Sequence, residues 1–251
     1  MQQKDTLLQR TDVAILCGGL GTRLRGVLDD RPKPMAEIEG RPFLDILIDH
    51  IAKYGATHFI LCTGYKGNFV KRYYERKEGK LKFIISEEKK TLGTAGAIKH
   101  AELFIGSNPF LVLNGDSFCE VDMKDFFRFH TEKKAFLSVA VTPVEDSKDY
   151  GVIQLDRDQK ITHFSEKKMA GGSGLINAGV YFFSRKVLKE IPSGKKQSLE
   201  YDLIPKILNK GVYGYKTDSP LLDIGTAERL QKARDYFKGS IRDKQSRHSS
   251  H

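Results

Sequence analysis

The sequence lacks the features that mark several large classes of protein. No apolar run in its 251 residues approaches the ~20 residues of a membrane-spanning helix, and the first ten residues are too polar for a secretion signal. No internal repeat and no proline- or serine-rich linker occurs within the body of the chain. We therefore expect no membrane partner and one α/β domain over residues 11–238, with flexible tails at 1–10 and 239–251. A division of the chain into two small domains is the less favoured alternative.

Cysteine is scarce as well, and histidine shows no informative spacing. The three cysteines, Cys17, Cys62 and Cys119, are odd in number and far apart, which argues against a disulfide framework or a metal site. The seven histidines are scattered without the spacing of metal ligands. We interpret the cysteines as reduced, packed thiols of a cytoplasmic protein. A catalytic thiol stays open as an alternative, although no histidine stands in a motif with one.

The net charge of +10 would suit a nucleic-acid-binding protein. However, residues 238–251 carry four cations against one Asp, and the other cations are interspersed with acids, as on ordinary helix faces. A cleft for a small phosphorylated substrate would also be basic. We therefore predict no nucleic-acid partner. The sequence does not determine the oligomeric state, and a homodimer is kept as a candidate.

Strand-like and helix-like segments alternate in the first half of the chain. Apolar runs typical of buried strands occupy residues 13–16, 59–62, 81–85 and 110–113, and amphipathic segments near 43–54, 68–76 and 94–104 separate them. This alternation predicts a mostly parallel sheet flanked by helices, with ligands at the carboxyl ends of the strands.

The second half has a different pattern. A helix is predicted near 123–133 and a strand at 136–141, followed by shorter strands at 152–155, 161–164 and 180–183. Helices near 199–208 and 226–237 follow, and residues 168–174, which contain three glycines, are predicted to form a mobile loop. The short strands predict a mixed or antiparallel extension of the first sheet.

A glycine-rich loop after the first predicted strand is the most informative segment. Residues 17–24 are Cys-Gly-Gly-Leu-Gly-Thr-Arg-Leu, and residues 31–35 are Arg-Pro-Lys-Pro-Met. Glycines let backbone N–H groups approach an anion closely, and Arg23 and Lys33 add two positive charges. Neither the third glycine of a dinucleotide fingerprint nor the Gly-Lys-Ser/Thr of a P-loop is present. We predict a polyphosphate site of another type, against the alternative of a tight turn with two solvated cations.

A candidate metal ligand follows the fourth predicted strand. Residues 114–116 are Asn-Gly-Asp, and a carboxylate at the end of a strand can hold Mg²⁺, which prefers oxygen ligands. A second Asp at position 223 lies far away in sequence, so only folding could bring it to Asp116. The alternative for either Asp is the cap of a turn or a helix.

These segments resemble those of the sugar-phosphate nucleotidyltransferases, also called nucleotide-sugar pyrophosphorylases. The resemblance is strongest at 18–24 and 33–35 and extends from Asp12 to Tyr236. Its later motifs lie at residues 92–97, 114–116, 149–152, 165–167, 177–179 and 223–226. It implies a Rossmann-like, mainly parallel mixed sheet with a small β extension for the sugar. It also implies a Mg²⁺-dependent reaction in which a sugar 1-phosphate attacks the α-phosphorus of a nucleoside triphosphate and pyrophosphate leaves.

The resemblance also implies a role for each matched residue. Arg23 would contact the β- and γ-phosphates, Lys33 the α-phosphate, and Asp116 and Asp223 the Mg²⁺, so that Arg23, Lys33 and Asp116 form the catalytic group. The residues implied to bind the nucleotide are Gly18, Gly19, Leu20, Gly21, Gly93, Thr94 and Gly96. Glu87 is added to them because it precedes the second glycine segment and its carboxylate could accept hydrogen bonds from guanine. The residues implied to bind the sugar phosphate are Gly151, Glu166, Lys167 and Asn177. Glu87 and Glu88 could both accept hydrogen bonds from guanine, or could form a solvated acidic pair.

Two departures from the common family pattern concern the substrate. Residues 25–30 lack the usual Pro-x-Thr element, and Lys168 replaces the proline that commonly follows Glu-Lys. Within the family, this variant resembles the heptose 1-phosphate guanylyltransferases. It implies GTP and D-glycero-α-D-manno-heptose 1-phosphate as substrates, for a product used in lipopolysaccharide, capsule or S-layer glycans. Mannose 1-phosphate or another sugar phosphate is the alternative substrate, and no hexapeptide β-helix is expected after the catalytic region.

Two further hypotheses come from other functional classes. A glycosyltransferase on a similar sheet usually carries Asp-x-Asp at the metal strand, whereas residues 116–118 are Asp-Ser-Phe. A non-catalytic sensor of nucleotide sugars would not need the full set of Arg23, Lys33, Asp116 and Asp223. Both hypotheses therefore rank below the nucleotidyltransferase.

Overall fold

The computed structural model describes residues 7–19, 21–24, 26–28, 30–165 and 172–248, with residues 240–248 described by their backbone only. The strands are β1 Asp12–Leu16, β2 Glu37–Ile38, β3 Arg41–Pro42, β4 His58–Thr63, β5 Lys82–Glu87, β6 Phe110–Asn114, β7 Ser117–Phe118, β8 Leu137–Val144, β9 Val152–Leu155, β10 Ile161–Ser165, β11 Gly174–Phe183, β12 Val212–Lys216 and β13 Leu222–Asp223. The helices are α1 Phe43–Ala52, α2 Gly67–Glu75, α3 Gly93–His100, α4 Met123–Glu132, α5 Ile204–Ile207 and α6 Ala227–His248.

The first half of the chain forms the parallel part of the main sheet. Strands β5, β4, β1 and β6 are neighbours in that order, and each adjacent pair is parallel. The helices α1, α2 and α3 lie between these strands in the sequence, as the predicted alternation requires. The carboxyl ends of β1 and β6 therefore lie side by side, because Leu16 pairs with Asn114.

The second half extends this sheet with antiparallel strands. The long strand β11 pairs with β6, β8 and β9, and β10 adds to β9, all antiparallel. Strand β12 joins β8 in parallel. The prediction of a mainly parallel mixed sheet with a β extension is confirmed.

Both faces of the sheet are covered, because alternate residues of its central strands are apolar on each side. Val13 and Ile15 of β1 belong to one core cluster with α1, α2 and α4, whereas Ala14 belongs to a second cluster with α3 and α5. A buried carboxylate also ties two helices together on the first face. Asp45 of α1 accepts hydrogen bonds of 2.7 Å each from the hydroxyls of Tyr73 and Tyr74 of α2.

Three helices differ from their predicted bounds. The segment predicted as a helix over 94–104 is α3 followed by a 3₁₀ turn, Glu102–Phe104. The segment at 199–208 is a π-helical turn, Leu199–Leu203, followed by the short α5. Helix α6 continues to His248, past its predicted end at 237, because no proline interrupts the polar residues that follow.

The predicted tails overlap with described structure. Leu8 is fully buried in the core, and its N–H donates to the carbonyl of Tyr54. Residues 239–248 are helical in their backbone. The flexibility of either tail is not tested by these observations and stays a prediction. Among the described helices, none combines the length and the apolar character that crossing a membrane would require.

Candidate functional site

The glycine-rich loop leaves the carboxyl end of β1 next to that of β4. The N–H of Cys17 donates to the carbonyl of Cys62, which continues the strand pairing into the loop. At Gly18, a Cβ atom would lie 3.2 Å from Oε1 of Glu88 and 3.3 Å from the amide nitrogen of Gly64. The loop therefore passes close to the neighbouring strand ends, where a larger residue would have to displace them. Gly21 has a φ of +58° and leads into the 3₁₀ turn Thr22–Leu24, which carries Arg23.

Lys33 lies in a short turn that its prolines help to hold. The segment Lys33–Met35 is a 3₁₀ turn in which the N–H of Met35 donates to the carbonyl of Pro32, and Pro34 and Met35 are buried. Proline restricts the backbone at its own position and at the preceding residue. The ammonium group of Lys33 forms an ion pair with the carboxylate of Asp116. This contact joins the Lys33–Met35 turn to the segment that follows β6.

The two predicted metal ligands come together through a pair of short strands. Strand β13 pairs with β7, so that Asp223 lies opposite Ser117, next to Asp116. The N–H of Ile224 also donates to the carbonyl of Asp116 at 3.0 Å. These backbone contacts place two residues distant in sequence at one edge of the sheet.

Four predicted side chains converge around Gly225. A Cβ at Gly225 would lie 2.8 Å from Oδ1 of Asp223, 3.5 Å from Nη2 of Arg23 and 3.7 Å from Nζ of Lys33. Since Lys33 also binds Asp116, two cations and two carboxylates share one small region. Such a region suits the phosphates of a nucleotide together with a divalent cation.

The donor set at this region fits Mg²⁺. Asp116 and Asp223 offer carboxylate oxygens, the ligand type that Mg²⁺ prefers, and Asp116 is partly exposed toward the cleft. No group of three or more His, Cys, Asp or Glu with metal-site geometry occurs among the described residues. Two protein carboxylates suffice for Mg²⁺, which keeps several waters and shares its sites with substrate phosphates.

Asp223 is held by a network that the sequence interpretation did not assign. The hydroxyl of Tyr150 donates to its Oδ2 at 2.8 Å, and Nη1 of Arg229 contacts Oδ2 at 3.1 Å. Nη2 of Arg229 reaches Asp149 at 2.7 Å, and the guanidinium lies 4.9 Å from the centre of the Tyr150 ring. Burial first, and then the facing Asp223 carboxylate, together raise the pKa of Tyr150 to about 12. Burial acts to lower the pKa of Arg229, but its carboxylate partners, Asp223 first, raise it overall.

Two cavities adjoin at this site, and the first lies over the glycine-rich loop with a volume of about 230 Å³. Of the residues predicted to bind the nucleotide, Gly18, Gly19, Gly93 and Thr94 line it, together with Lys33 and Asp116. Glu88 lines this cavity and Glu87 does not. Leu20 lies outside the described residues. The cavity extends from the glycine-rich loop to the second glycine segment, as a bound nucleotide would require.

The alternation of side chains along β5 explains why the two glutamates differ. Glu87 is the last residue of β5 and is exposed, with its carboxylate toward Gly67 at the start of α2. Glu88 points the other way, and its Oε2 accepts the N–H of Leu92 at 2.9 Å. Burial raises the pKa of Glu88. The assignment of Glu87 to the nucleotide stays a prediction, and the geometry favours Glu88 for that role.

The second glycine segment packs tightly against residues 195–197. Gly93 has a φ of +71°, and a Cβ there would lie 2.4 Å from the carbonyl oxygen of Gln197. A Cβ at Gly96 would lie 2.8 Å from the carbonyl oxygen of Lys195. The glycines are therefore needed for backbone packing, whatever they contribute to a nucleotide.

The second cavity, of about 180 Å³, adjoins the first. Lys33, Asn114 and Asp116 line both, and Gly151, Asn177 and Glu200 line the second one. Two hydrogen bonds orient the Asn177 side chain. Its Nδ2 donates to the Tyr181 hydroxyl, and its Oδ1 accepts the N–H of Gly179 at 3.0 Å. Glu166 and Lys167, predicted to bind the sugar phosphate, lie outside the described residues.

Asn114, Tyr150, Glu200 and Arg229 line these cavities without a role from the sequence interpretation. Oδ1 of Asn114 is buried without a hydrogen-bond partner in the described part of the chain, so it is available to a ligand. Asn114 and Tyr150 lie within the sequence motifs at 114–116 and 149–152. Arg229 lies in α6, six residues after Asp223, and this spacing does not by itself indicate a functional residue. Glu200 contacts the hydroxyls of Thr94 and Ser198 at 3.0 Å each.

The three cysteines do not have the properties of nucleophiles. All three are free and buried. Burial raises the pKa of Cys62 and of Cys119 to about 12 and that of Cys17 well above its ordinary value. Since the thiolate is the reactive form, the alternative of a catalytic thiol is not supported.

Comparison with known proteins gives a consistent result. The family described as nucleotidyl transferase matches residues 13–238. D-glycero-alpha-D-manno-heptose 1-phosphate guanylyltransferase of Aneurinibacillus thermoaerophilus is 35% identical over 223 residues, which is 88% of this chain and 96% of that protein. Mannose-1-phosphate guanylyltransferase of Mycobacterium tuberculosis is 33% identical over 92% of this chain, which spans 64% of that protein.

A solved structure shows the same fold. The crystal structure of HddC from Yersinia pseudotuberculosis superposes with a TM-score of 0.80 at 36% identity, covering 90% of this chain and 99% of HddC. HddC complexed with GMP-PN matches with a TM-score of 0.79.

Proposed function

Because this chain belongs to the nucleotidyl transferase family, we propose that it joins the nucleotidyl group of GTP to D-glycero-α-D-manno-heptose 1-phosphate. An oxygen of the sugar phosphate forms a bond to the α-phosphorus of GTP. The bond from that phosphorus to the oxygen bridging the α- and β-phosphates breaks, and pyrophosphate leaves. The products are a GDP-sugar and pyrophosphate.

One observation carries this proposal: Arg23, Lys33, Asp116 and Asp223 meet where the two cavities adjoin. A nucleotide in the first cavity and a sugar phosphate in the second would bring the reacting phosphates to this junction. The attacking phosphate is already an anion, so no strong general base is required. Positioning and charge neutralisation then supply most of the rate acceleration.

The chain's own residues divide the work at the phosphates. Arg23 neutralises the leaving β- and γ-phosphates, and Lys33 exchanges its contact with Asp116 for the α-phosphate. Asp116 and Asp223 would hold Mg²⁺, which when bound supplies further charge neutralisation at the phosphates. Oδ1 of Asn114, which has no partner among the described residues, accepts a hydrogen bond from a substrate at the junction.

Base selection rests on Glu88 in this proposal. Its carboxylate lines the first cavity and can accept hydrogen bonds from N1–H and N2–H₂ of guanine, which adenine cannot offer in that arrangement. The two relatives, both guanylyltransferases, support the choice of GTP.

The sugar phosphate is assigned to the second cavity. Asn177 and the backbone at Gly151 line it, and Glu166 and Lys167 are proposed from their motif to bind the sugar hydroxyls and phosphate. The relative of A. thermoaerophilus, which the chain covers almost completely, supports a manno-configured heptose. Mannose 1-phosphate is the runner-up, in line with the relative of M. tuberculosis.

The decisive experiment measures pyrophosphate release with Mg²⁺ for four nucleoside triphosphates against heptose, mannose, glucose and N-acetylglucosamine 1-phosphates. Release only with GTP and the manno-configured heptose phosphate is expected. Release with another pair would keep the reaction and correct the substrate. No release with any pair, together with binding of nucleotide sugars, would favour a sensor or a glycosyltransferase.

Two further parts of the proposal concern the setting of the enzyme. We place the reaction in the cytoplasm, where nucleoside triphosphates are available. A homodimer is retained as the proposed assembly, and light scattering on the purified chain would decide between one and two copies per particle.

A further inference from the structure

We propose that Arg229 is a positioning residue that holds the Asp223 carboxylate in the direction needed for the metal. This inference rests on the proposed function, because it assigns a task to a residue next to a proposed metal ligand. Arg229 lies in the first turns of α6, six residues after Asp223. The sequence motifs did not assign a function to Arg229.

The contacts of Asp223 divide between its two oxygens. Oδ2 accepts the hydroxyl of Tyr150 at 2.8 Å and Nη1 of Arg229 at 3.1 Å. Oδ1 accepts the N–H of Gly225 at 2.9 Å and makes only a longer contact, 3.3 Å, with Arg229. Both oxygens therefore have protein donors, but Oδ2 is held by two side chains, whereas the shorter contact of Oδ1 is to a backbone N–H.

Oδ1 lies beside Gly225, in the region that Arg23 and Lys33 also border. It is the atom nearest to a Cβ placed on Gly225, and Arg23 and Lys33 border the same spot. By holding Oδ2, Tyr150 and Arg229 would restrict rotation of the carboxylate and so keep Oδ1 in the region shared with Lys33. A ligating carboxylate is commonly oriented in this way by hydrogen bonds to its second oxygen.

The guanidinium is itself fixed from three sides. Nη1 binds Asp223, Nη2 binds Asp149 at 2.7 Å, and its face lies over the Tyr150 ring. The planar fork of an arginine can make these contacts together, which a lysine ammonium cannot. Because Asp149 and Tyr150 directly precede Gly151 of the second cavity, one side chain links the metal ligand to the sugar side of the site.

A second physical effect opposes this one and makes the proposal testable. A positive guanidinium near a divalent cation repels it, so removal of Arg229 would strengthen metal binding if charge alone mattered. If orientation dominates, removal weakens metal binding by roughly 10- to 100-fold, the usual effect of losing such a supporting contact. The two effects therefore predict opposite signs.

The experiment titrates Mn²⁺, as a stand-in for Mg²⁺, into the full chain and follows free Mn²⁺ by EPR, with and without a non-hydrolysable GTP analogue. Arg229→Met is expected to raise the half-saturating Mn²⁺ concentration roughly 10- to 100-fold. Arg229→Lys should recover only part of the loss, and Tyr150→Phe should give a smaller loss. Arg128→Met, which removes an exposed ion pair with Asp125 on α4, is the matched control and should change nothing.

A double variant separates positioning from direct contact with substrate. In an Asp223→Ala background, adding Arg229→Met should cause no further loss of Mn²⁺ binding, because the proposed action passes through Asp223 and only the charge repulsion remains to be removed. Unchanged or tighter Mn²⁺ binding in Arg229→Met would overturn the proposal, as would a full additional loss in the Asp223→Ala background. If Arg229→Met fails to fold by circular dichroism, Arg229→Lys and Tyr150→Phe decide in the same way.

The failure of this inference and that of the proposed function are distinguishable. The Mn²⁺ titration needs no turnover, so it can support positioning even if no substrate pair releases pyrophosphate. Conversely, an active wild-type enzyme whose Arg229→Met variant binds Mn²⁺ normally would refute positioning and leave the reaction intact.

Discussion

Replacement of Gly93 by Ala should destabilise the protein through one identifiable contact. The φ of Gly93 is +71°, and a Cβ at this position would lie 2.4 Å from the carbonyl oxygen of Gln197 and 2.8 Å from its carbonyl carbon. Gly194 offers a matched control in the same chain, because its φ is +70° and no atom lies within 4 Å of its Cβ position. The two substitutions share the backbone cost and differ in the contact.

The expected magnitudes follow from that comparison. An alanine in the left-handed region costs about 1–2 kcal/mol, partly offset by about 0.4–1 kcal/mol from the less flexible unfolded chain, so Gly194→Ala should cost about 1 kcal/mol. At Gly93 the backbone must also move by more than half an ångström. That movement strains the hydrogen bonds from the N–H groups of Ala95 and Gly96 to Gln197. Overpacking adds about 1–3 kcal/mol and the weakened hydrogen bonds about 1–2 kcal/mol, so Gly93→Ala should cost about 3–6 kcal/mol.

Urea unfolding followed by far-ultraviolet circular dichroism measures both variants, since the chain has no Trp. Gly93→Ala should also weaken nucleotide binding, because the neighbouring Thr94 lines the first cavity. A difference of less than about 1 kcal/mol between the two variants would refute the reasoning, because the steric contribution alone exceeds that value. In that case the close approach of Gly93 to Gln197 would not be the reason that a glycine is needed at position 93.

Three further predictions concern the site and its surroundings. Lys33→Met and Asp116→Asn should each abolish pyrophosphate release. The urea midpoint should stay nearly unchanged, because their partly exposed ion pair contributes at most about 1 kcal/mol. Full activity in either variant would contradict the assignment of these residues to the active site. Glu88→Gln should lower kcat/KM for GTP about 10- to 100-fold, the effect of a lost charged hydrogen bond, and Glu87→Gln should leave it unchanged. A loss in Glu87→Gln and none in Glu88→Gln would instead support the role predicted for Glu87. Burial lowers the pKa of His130 to about 4, so the folded state stays neutral while the unfolded chain takes up a proton as the pH falls below about 6.5. This difference should remove up to about 3 kcal/mol of stability between pH 6.5 and pH 4, measured as the urea midpoint against pH, and a His130→Asn variant with the same pH dependence would contradict it.

The parallel half of the fold was predictable because its signals are local. Apolar runs of four to six residues alternate with amphipathic helices, and a glycine-rich loop marks the end of β1. A side-chain period of two for strands and 3.6 for helices is visible within a short window. The ends of α3 and α6 were less predictable, since neither carries a strong stop signal in the sequence.

The side of the sheet on which a residue lies was harder to predict. Glu87 and Glu88 are adjacent and chemically identical, so composition and motif do not distinguish them. Pairing of Glu87 with Thr63 in β4 fixes the direction of each side chain, and a shift of one residue would exchange them. Glu88 therefore reaches the cavity through strand pairing that the sequence pattern does not specify.

By itself the sequence determined the reaction family and the residue types at its centre. The glycines of the first loop, the proline-flanked Lys33 and the Asn-Gly-Asp motif are short patterns from which a phosphate and metal site can be predicted. Only the tertiary structure decided that Asp223 meets Asp116 and that Arg229 and Tyr150 hold it. These contacts depend on the pairing of β13 with β7 and on the packing of α6. Such long-range contacts form because they bury surface and satisfy backbone groups across the whole molecule, so no local window of sequence specifies them.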